Sequence, residues 1–598
     1  MPESTTDLST HNRRRFIWSS LVVFVLLALL HTWPLALAPS TLSRNDNADT
    51  VLHEWTLAWL AHQIVQDPLH LFDANIFHPD RLTLAYSDHL FIPGIFVAPL
   101  FWLGLSPVLV YNLLLIAGFA LTGWAMSVLV HRWTNSQIAG LLSGSLVAFN
   151  AFTLTRFPQI QDQHLEFLPV ALWALDRLIC RPSTRRALSL AGWFALQSLT
   201  TGYWLLFTTV AMVAGTLARP REWLINTRWA AFVPRATLAG TVAGLLLLPF
   251  LLPYWTVSRE QGLRRSLDEV AQYSAHLTNY LATGGRFHFN AWSERFYVNG
   301  AESLFPGIIA LILAAIAVGS GVALRNPRAR MALAFGLVAF SLSFGPALPG
   351  YEFLYNIFPL MPGIRGAARF GQLFLVAIAI LAGFGWARVR ELLNPASVGT
   401  GRRLVLSLGT AVLIGVHTEA IRTPIPYSPA PQIPAAWNIL GSTDDDAVLA
   451  VFPFYEPQTF FQNGRYLLYA TQHFRPMLNG YSGFAPPSYR RHADALRSFP
   501  HPESLDYLRS LGVTHVVVES HLMRNSVVAS LPYIRELQLM FTDGNLLVYV
   551  LTASDESNLS KNQTATPSSH LIVTTIHPSP KQPPTQRSQP AEHMMHIP

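Results

Sequence analysis

Long apolar runs separated by short polar connections make up most of the chain. The first extends from about 16 to 38, and ten more follow at 108–130, 138–155, 165–180, 186–201, 203–218, 235–257, 303–323, 330–346, 370–388 and 403–419. A membrane-spanning helix needs about 20 predominantly apolar residues. The pattern therefore predicts an α-helical polytopic membrane protein with about eleven transmembrane helices.

Basic clusters between the runs predict the orientation of these helices. They lie at 131–132, 181–186, 219–235, 325–330, 388–390 and 402–403. Such clusters favour the cytoplasmic side. All of them reach that side if the short, proline-containing run at 91–104 is re-entrant or interfacial. We therefore predict a multi-pass plasma (inner) membrane protein with a cytoplasmic N-terminus at 1–15.

The pattern changes after the last long run. Two short apolar segments, VLAVFPF and THVVVES, indicate buried strands, and LQLMFTD with NLLVYVL indicates a hairpin turning at Asp543-Gly544. We predict a transmembrane domain over 16–420 with a long outer loop at 43–90, and an extracytoplasmic soluble α/β domain over 421–553. The segment 554–598, rich in Ser, Thr, Pro, Gln and His, is predicted to be disordered.

Composition supports the membrane assignment. Charged residues make up 13% of the chain and hydrophobic ones 51%, whereas soluble proteins carry about 25% charged residues. The net charge of +7 is explained by arginines in cytoplasmic loops, so no nucleic-acid partner is indicated. The lone cysteine, Cys180, excludes an intramolecular disulfide.

Candidate catalytic acids open the predicted outer loop. Asp46 and Asp49 are three residues apart and would share one face of a helix. A carboxylate here suits a general base for a sugar hydroxyl, or a ligand of a divalent cation such as Mg or Mn; no cofactor is otherwise indicated. Alternatively, Asp46 or Asn47 caps the following helix, with Asp49 in its first turn. Both interpretations stay open.

Other polar residues of the outer loops are candidates for binding the substrate. Asp88 and His89 end the first loop, and His164 and Glu166 lie in TRFPQIQDQHLEF between two predicted helices. A solvated loop is the alternative for the second segment. In the first loop, the apolar surface that includes Trp55 suits the headgroup region of the membrane.

Arg365 and Arg369 stand at i and i+4 where a membrane helix begins. Cations are unfavourable at a helix N-terminus and arginines are disfavoured in outer loops. A bound phosphate would resolve both conflicts, because guanidinium groups and helix N–H groups match its oxygens. The alternative is a salt bridge to an outer carboxylate. The pair Arg264-Arg265 is a second candidate phosphate contact.

With these residues in view, the chain resembles the GT-C class of membrane glycosyltransferases, which includes protein mannosyltransferases and the aminoarabinose–lipid A transferase. The resemblance covers roughly 10–420: a first helix, a long outer loop opening with acids, and many further helices, followed by a soluble outer domain. The stretches LAYSDH, PGIRGAARF and NGYSGFAPP are similar to those in a large group of bacterial membrane proteins, mostly assigned only as transferases.

The resemblance implies a polyprenyl-phosphate-linked sugar as donor, a membrane lipid environment, and a glycan, lipid or protein acceptor. It gives the role of general base to Asp49 or Asp46. Asn45 and Asn47 flank Asp46, so an adjacent acid pair is absent and the choice of base and the metal requirement stay open.

The prediction is therefore a membrane glycosyltransferase. Arg365 and Arg369 would neutralise the leaving phosphate, while His164 and Asp88 would help to position the sugar. A transporter or flippase of a lipid-linked glycan would use the same arginines without chemistry, although the chain shows no internal repeat of the kind transporters often have. A non-catalytic membrane assembly protein is the third alternative. Acids gathered beside the arginines would favour the enzyme.

Overall fold

The computed structural model describes residues 3–44, 47–225, 228–297, 303–358, 360–393, 400–442 and 446–552. The chain forms two compact units. One, here called the helical unit, combines Met1–Asp46 with His89–Ala430. The other, the mixed unit, combines Asn47–Asp88 with Pro431–Ile597. The predicted disordered tail, 554–598, lies outside the described residues.

Helices are numbered here in chain order. The first half of the chain contains α1 Glu3–His31, α2 Ala48–Gln66, α3 Phe91–Trp102, α4 Pro107–Thr134, α5 Gln137–Ala148, α6 Ala151–Thr155, α7 Phe167–Cys180, α8 Thr184–Ser198, α9 Gly202–Leu217, α10 Pro220–Trp223, α11 Arg228–Glu260, α12 Leu267–Gln272 and α13 Arg286–His288. The second half contains α14 Ile308–Gly319, α15 Val322–Arg325, α16 Pro327–Ser343, α17 Tyr351–Ile357, α18 Phe370–Leu393, α19 Thr400–Ala420, α20 Ala435–Gly441, α21 Gly464–Ala470, α22 Pro487–Leu496, α23 Pro502–Ser510 and α24 Asn525–Ser530.

Every apolar run predicted to cross the membrane is helical in the helical unit. Within the described residues, 6 helices are long and apolar enough to span a bilayer: Arg13–His31, Pro107–Thr134, Gln137–Thr155, Arg228–Glu260, Ala367–Leu393 and Arg403–Ala420. The other predicted runs form α7, α8, α9, α14 and α16, which have 12 to 17 residues. The chain is thus a multi-pass membrane protein, and the total of about eleven crossings stays a prediction.

The run at 91–104 forms α3, a helix of 12 residues with Pro99 inside it. At 1.5 Å per residue it is about 18 Å long, shorter than the roughly 30 Å hydrocarbon core. Its length agrees with the re-entrant or interfacial placement, which remains a prediction.

The helix α18 lies at the centre of the helical unit. In its most apolar window 89% of the residues are buried, against 17% for α11 and for α19. Small residues permit this close packing: a Cβ atom on Gly385 would lie 1.9 Å from the carbonyl oxygen of Leu313 on α14. Close backbone approach at small residues is a common basis of helix packing in membranes.

The mixed unit is built around a four-stranded sheet. The strands, in chain order, are β1 Leu42–Ser43 and β2 Ser428–Pro429 in the helical unit, and β3 Leu449–Phe452, β4 His515–Glu519, β5 Leu537–Asp543 and β6 Leu546–Leu551 in the mixed unit. The sheet has the order β3-β4-β6-β5, with β3 parallel to β4 and the other neighbours antiparallel. The hairpin prediction is confirmed, and Gly544 provides the positive φ of 59° at its turn.

The boundaries between the units differ from the predicted ones. Residues 47–88 of the predicted outer loop belong to the mixed unit. Backbone hydrogen bonds attach them to it: Met477 donates to Asn75, and His78 donates to Met477, both at 2.9 Å. Residues 421–430 belong instead to the helical unit, where β2 pairs with β1. Pairing between segments so distant along the chain leaves no local pattern in the sequence.

The tryptophans of α2 also differ from their predicted role. Trp55 and Trp59 are only 1% and 4% exposed. Their indole N–H groups donate to Asn75 Oδ1 and to the carbonyl oxygen of Leu71, at 3.1 and 3.0 Å. The predicted headgroup surface is therefore wrong: these rings lie in the interior of the mixed unit, where each indole N–H has a partner.

Candidate functional site

Asp49 lies in the first turn of α2. Asn47 is the N-cap, and its side chain accepts a hydrogen bond from the Asp49 backbone N–H at 2.8 Å. The capping interpretation is thus confirmed for Asn47. Asp49 Oδ1 accepts a hydrogen bond from the Tyr481 hydroxyl at 2.7 Å, and the Tyr481 ring lies 5.3 Å from that of Phe460. The half-buried carboxylate is held in place beside aromatic rings. Asp46 lies outside the described residues.

Tyr481 belongs to NGYSGFAPP, the stretch that carries part of the family resemblance. Its neighbour Asn479 is fully buried and bonds to both backbone groups of Val451 on β3, at 2.7 and 3.0 Å. The loop is therefore packed on the sheet at Asn479, while Tyr481 remains partly exposed. No spacing pattern in the sequence indicates that Tyr481 contacts Asp49.

Asp88 and His89 fall on either side of the division between the units. His89 is 5% exposed, and its Nδ1 accepts the N–H of Phe91 at 3.1 Å, at the start of α3. Its ring packs against Phe250 and Tyr254 of α11. These contacts give His89 a structural role in the helical unit. Asp88 is half-buried in the mixed unit.

His164 and Glu166 form a pair inside the helical unit. His164 Nδ1 lies 3.0 Å from Glu166 Oε1, and Nε2 lies 3.2 Å from the carbonyl oxygen of Leu114 on α4. The ring is 2% exposed, and a Cβ atom on Gly118 would lie 2.8 Å from it. The alternative of a solvated loop is wrong. Both ring nitrogens are engaged by protein atoms, so this pair joins α4 to the start of α7.

Tyrosine rings accompany the two arginines before α18. The Arg365 guanidinium lies 4.7 Å from the ring centroid of Tyr273, and that of Arg369 lies 4.5 Å from the ring centroid of Tyr203 on α9. Arg365 is exposed and Arg369 half-buried. Within the described ranges Arg365 has a cation–π contact and no ion pair. The predicted salt-bridge alternative does not hold for Arg365.

The structure also brings Arg264 and Arg265 to this segment. The Arg265 N–H donates to the carbonyl oxygen of Pro362 at 2.9 Å, three residues before Arg365. Arg264 Nε donates to the Tyr355 hydroxyl at 3.3 Å. We call this set the arginine–tyrosine cluster; its members are Arg264, Arg265, Arg365, Arg369, Tyr203, Tyr273 and Tyr355.

The arginine–tyrosine cluster brings four guanidinium groups together. Arg265 forms an ion pair with Glu269 at 2.9 Å. The tyrosine rings hold the guanidinium groups in place without cancelling their charge. Four guanidinium groups near one segment suit an anion with several oxygens.

An apolar groove of about 530 Å³ lies in the same unit. Helices α7, α8, α9 and α11 line it almost entirely with apolar side chains. Its lining along α11 runs from Phe232 to Leu251, about 28 Å at 1.5 Å per residue. It also includes Leu205, two residues after Tyr203, and Leu360, five residues before Arg365. The dimensions and lining suit a long hydrocarbon chain.

Metal ligands do not gather in the part of the chain that the structure describes. No group of three or more His, Cys, Asp or Glu side chains there has the geometry to hold a metal ion. The divalent cation considered for Asp46 and Asp49 therefore remains an expectation from the sequence.

No protein-family model matches the chain, and no curated protein sequence is significantly similar to it. Two cryo-EM structures of the arabinofuranosyltransferase AftD from mycobacteria share its fold. The first has a TM-score of 0.59 at 17% identity, over 91% of this chain and 40% of AftD. The second, of a mutant with an arginine-to-serine substitution, has a TM-score of 0.53 at 16% identity, over 90% of this chain and 41% of AftD.

The chain has the fold of a GT-C membrane glycosyltransferase. The predicted resemblance is therefore confirmed at the level of the fold. The chain spans about two fifths of the length of AftD. What AftD transfers is thus not carried over to this chain by the comparison alone.

Proposed function

We propose that this protein transfers a sugar from a polyprenyl-phosphate donor to an extracytoplasmic acceptor, a glycan, lipid or protein. One observation carries the proposal: the helical unit contains both the arginine–tyrosine cluster and the apolar groove, and α9 contributes to each, Tyr203 to the cluster and Leu205 to the groove. A cationic cluster and a long apolar groove in the same unit match an amphiphile with a phosphate head and a hydrocarbon tail.

In the proposed mechanism the prenyl chain occupies the groove and the phosphate contacts the guanidinium groups of Arg365 and Arg369. Negative charge grows on the phosphate oxygens as the glycosidic bond breaks. Fixed cations stabilise that charge more in the transition state than in the ground state. The tyrosine rings limit the motion of the guanidinium groups, so little reorganisation is needed during the reaction.

Asp49 is the proposed general base. Its carboxylate would accept the proton of the attacking acceptor hydroxyl as the new glycosidic bond forms. The hydrogen bond from Tyr481 orients the carboxylate through Oδ1. Asp46, Asp88, His89, His164 and Glu166 were also candidates from the sequence. We assign positioning roles to His89 and to the His164–Glu166 pair, because protein atoms engage their side chains.

The donor sugar is the least determined part of the proposal. The two similar structures named above are of an arabinofuranosyltransferase, which makes a polyprenyl-phosphate-linked pentose the first donor to test. A hexose-linked donor is the second. Either would present the same phosphate and prenyl chain to the helical unit.

The experiment uses the full-length protein in proteoliposomes with a radiolabelled polyprenyl-phosphate-linked arabinose or mannose and a lipid or glycan acceptor. Asp49→Asn should reduce transfer by about 100-fold or more, in the range of general-base contributions. Asp67→Asn is the matched control, since Asp67 is an exposed acid of the mixed unit paired with His70. Full activity of Asp49→Asn would remove the proposed base.

A second set of variants tests the phosphate contact. The double variant Arg365→Met and Arg369→Met should lose about 100-fold or more in donor turnover, because hydrogen bonds to charged groups contribute about 1.5–3 kcal/mol each. Arg295→Met is the control, since Arg295 stacks on Phe296 in the same unit with a similar distance of 4.7 Å. Movement of the lipid-linked sugar across the bilayer, without transfer, would favour the flippase alternative. Absence of both would favour the assembly protein.

A further inference from the structure

The parallel pair of strands in the mixed unit ends in a group of polar and aromatic side chains. Glu519 is the last residue of β4, and Tyr455 follows β3 by three residues. These strands are parallel neighbours, so their carboxyl ends meet at one edge. Ligands of open α/β sheets bind outside that edge. The α21 helix contributes Arg465, Tyr466 and Tyr469 to the same place.

Arg465 and Glu519 form the centre of this group. Their side chains approach to 3.3 Å and are 34% and 7% exposed. Arg465 also donates to the Tyr455 hydroxyl at 2.6 Å and lies 5.1 Å from the Tyr466 ring. Glu519 Oε2 is the oxygen that faces Arg465 in this ion pair; within the described residues it and Arg465 Nε are buried and have no hydrogen-bond partner. Such buried polar atoms are costly to leave unpaired, so Arg465 Nε can donate to a ligand, and Glu519 Oε2 can accept from one beside its ion pair with Arg465.

Aromatic rings surround this pair. The Tyr455 and Tyr466 rings are stacked with centroids 6.4 Å apart, and Trp437 lies 5.4 Å from Tyr469. Tyr455 and Tyr469 are partly exposed, whereas Trp437 and Tyr466 are buried. The group therefore presents ring surface to solvent with a buried donor and acceptor behind it.

The electrostatics of the group favour a neutral ligand. Burial raises the pKa of Glu519, and the nearby Arg465 and His521 oppose that rise. The positive charge of Arg465 already has a carboxylate partner, so a phosphate or a uronic acid would be repelled by Glu519. A sugar hydroxyl can donate to Glu519 and accept from Arg465 at once, while the C–H face of the sugar ring packs on tyrosine.

We propose that Arg465, Glu519, Tyr455 and Tyr469 form a binding subsite for a neutral glycan. The proposal rests on the proposed function, because it identifies the acceptor as a neutral oligosaccharide held by the same unit that carries Asp49. The α21 helix begins at Gly464 beside α2, where a Cβ on Gly464 would lie 3.4 Å from Ala48. Arg465 and Tyr469 of the subsite therefore lie on a helix that packs against the helix of Asp49.

Binding is tested on the full-length protein in lipid nanodiscs by saturation-transfer-difference NMR. The probes are arabinopentaose and mannopentaose as neutral glycans and trigalacturonic acid as an anionic one. At least one neutral probe should bind in preference to the anionic one. Glu519→Gln and Arg465→Met should each weaken its binding about tenfold or more, in line with hydrogen bonds to charged groups.

Arg497→Met is the matched control. Arg497 pairs with Glu456 in the same unit, but its side chain is 65% exposed, so its loss should leave binding unchanged. Tyr455→Phe removes one hydroxyl and should weaken binding by a few-fold, even if Glu519→Gln fails to fold. The subsite would be overturned if folded variants bound the neutral glycan as the wild type does. It would also be overturned if the protein preferred trigalacturonic acid or bound neither neutral glycan.

Failure of the subsite is distinguishable from failure of the proposed function. Asp49→Asn should lose transfer and keep glycan binding. Glycan binding by a wild-type protein without transfer activity would contradict the proposed function alone. If the protein transfers sugar but Glu519→Gln and Arg465→Met leave the KM for the acceptor unchanged, the subsite alone is contradicted.

Discussion

Arginines are used in opposite ways in the two units. In the helical unit, Arg365 and Arg369 stack on tyrosine rings, and within the described residues Arg365 forms no ion pair. In the mixed unit, Arg465 faces a buried carboxylate, Glu519, at 3.3 Å. The first arrangement suits an anion and the second a neutral polyhydroxylated ligand. Tyrosine is common to both sites, and each has a carboxylate, but Glu519 is buried against Arg465 whereas Glu269 is partly exposed and pairs, in the part of the chain that the structure describes, with Arg265 alone.

The largest expected effect tests whether the mixed unit has a stability of its own. Trp55→Ala removes a large ring that is 1% exposed and should destabilise the mixed unit by about 3–5 kcal/mol. Hydrogen exchange should rise across β3, β4 and α2 and remain unchanged in α18. Equal increases of hydrogen exchange in both units would contradict their division into separately stable units.

The second-largest effect is expected from acid, which should lower the free energy of unfolding of the mixed unit. Burial, with a contribution from Arg475, lowers the pKa of His473 to about 3 from 6.5. The folded state therefore resists a proton that the unfolded state accepts, so stability is lost as pH falls from 6.5 towards 3. The loss approaches about 1.4 kcal/mol per pH unit.

Hydrogen exchange of the mixed unit at pH 7 and pH 5 measures this effect. His473→Gln should reduce the difference, because an amide does not titrate. Part of the slope should remain, since burial also lowers the pKa of His78 and of His492. The same slope in wild type and variant would show that His473 contributes nothing to it.

The smallest expected effect concerns the affinity of the arginine–tyrosine cluster for an anion. Glu269→Gln removes the carboxylate that pairs with Arg265 at 2.9 Å and should make the arginine–tyrosine cluster more positive. Affinity for a short-chain polyprenyl phosphate should rise by about two- to fivefold, because partly exposed pairs contribute about 0.2–1 kcal/mol. Glu294→Gln removes an exposed acid of the same unit and should leave affinity unchanged. Weaker binding by Glu269→Gln would mean that the carboxylate orders Arg265 more than it opposes the anion.

Most helices and the hairpin could be predicted from local sequence patterns. Apolar runs of sufficient length predicted the helices, and Asp543-Gly544 predicted the hairpin turn. The conflict of Arg365 and Arg369 with the helix dipole predicted a phosphate contact but did not indicate that Arg264 and Arg265 would reach the same segment. The tyrosines over these arginines carry no spacing signal, because Tyr203, Tyr273 and Tyr355 come from separate parts of the chain.

The sequence by itself determined which segments are helical, which could enter a membrane and where charged side chains conflict with local rules. These properties depend on neighbours within a few turns of the chain. Only the tertiary structure decided that residues 47–88 join the C-terminal sheet, that Tyr481 holds Asp49 and that Arg465 meets Glu519. Those outcomes depend on backbone pairing and burial between segments far apart in the sequence, which hydrophobic periodicity does not encode.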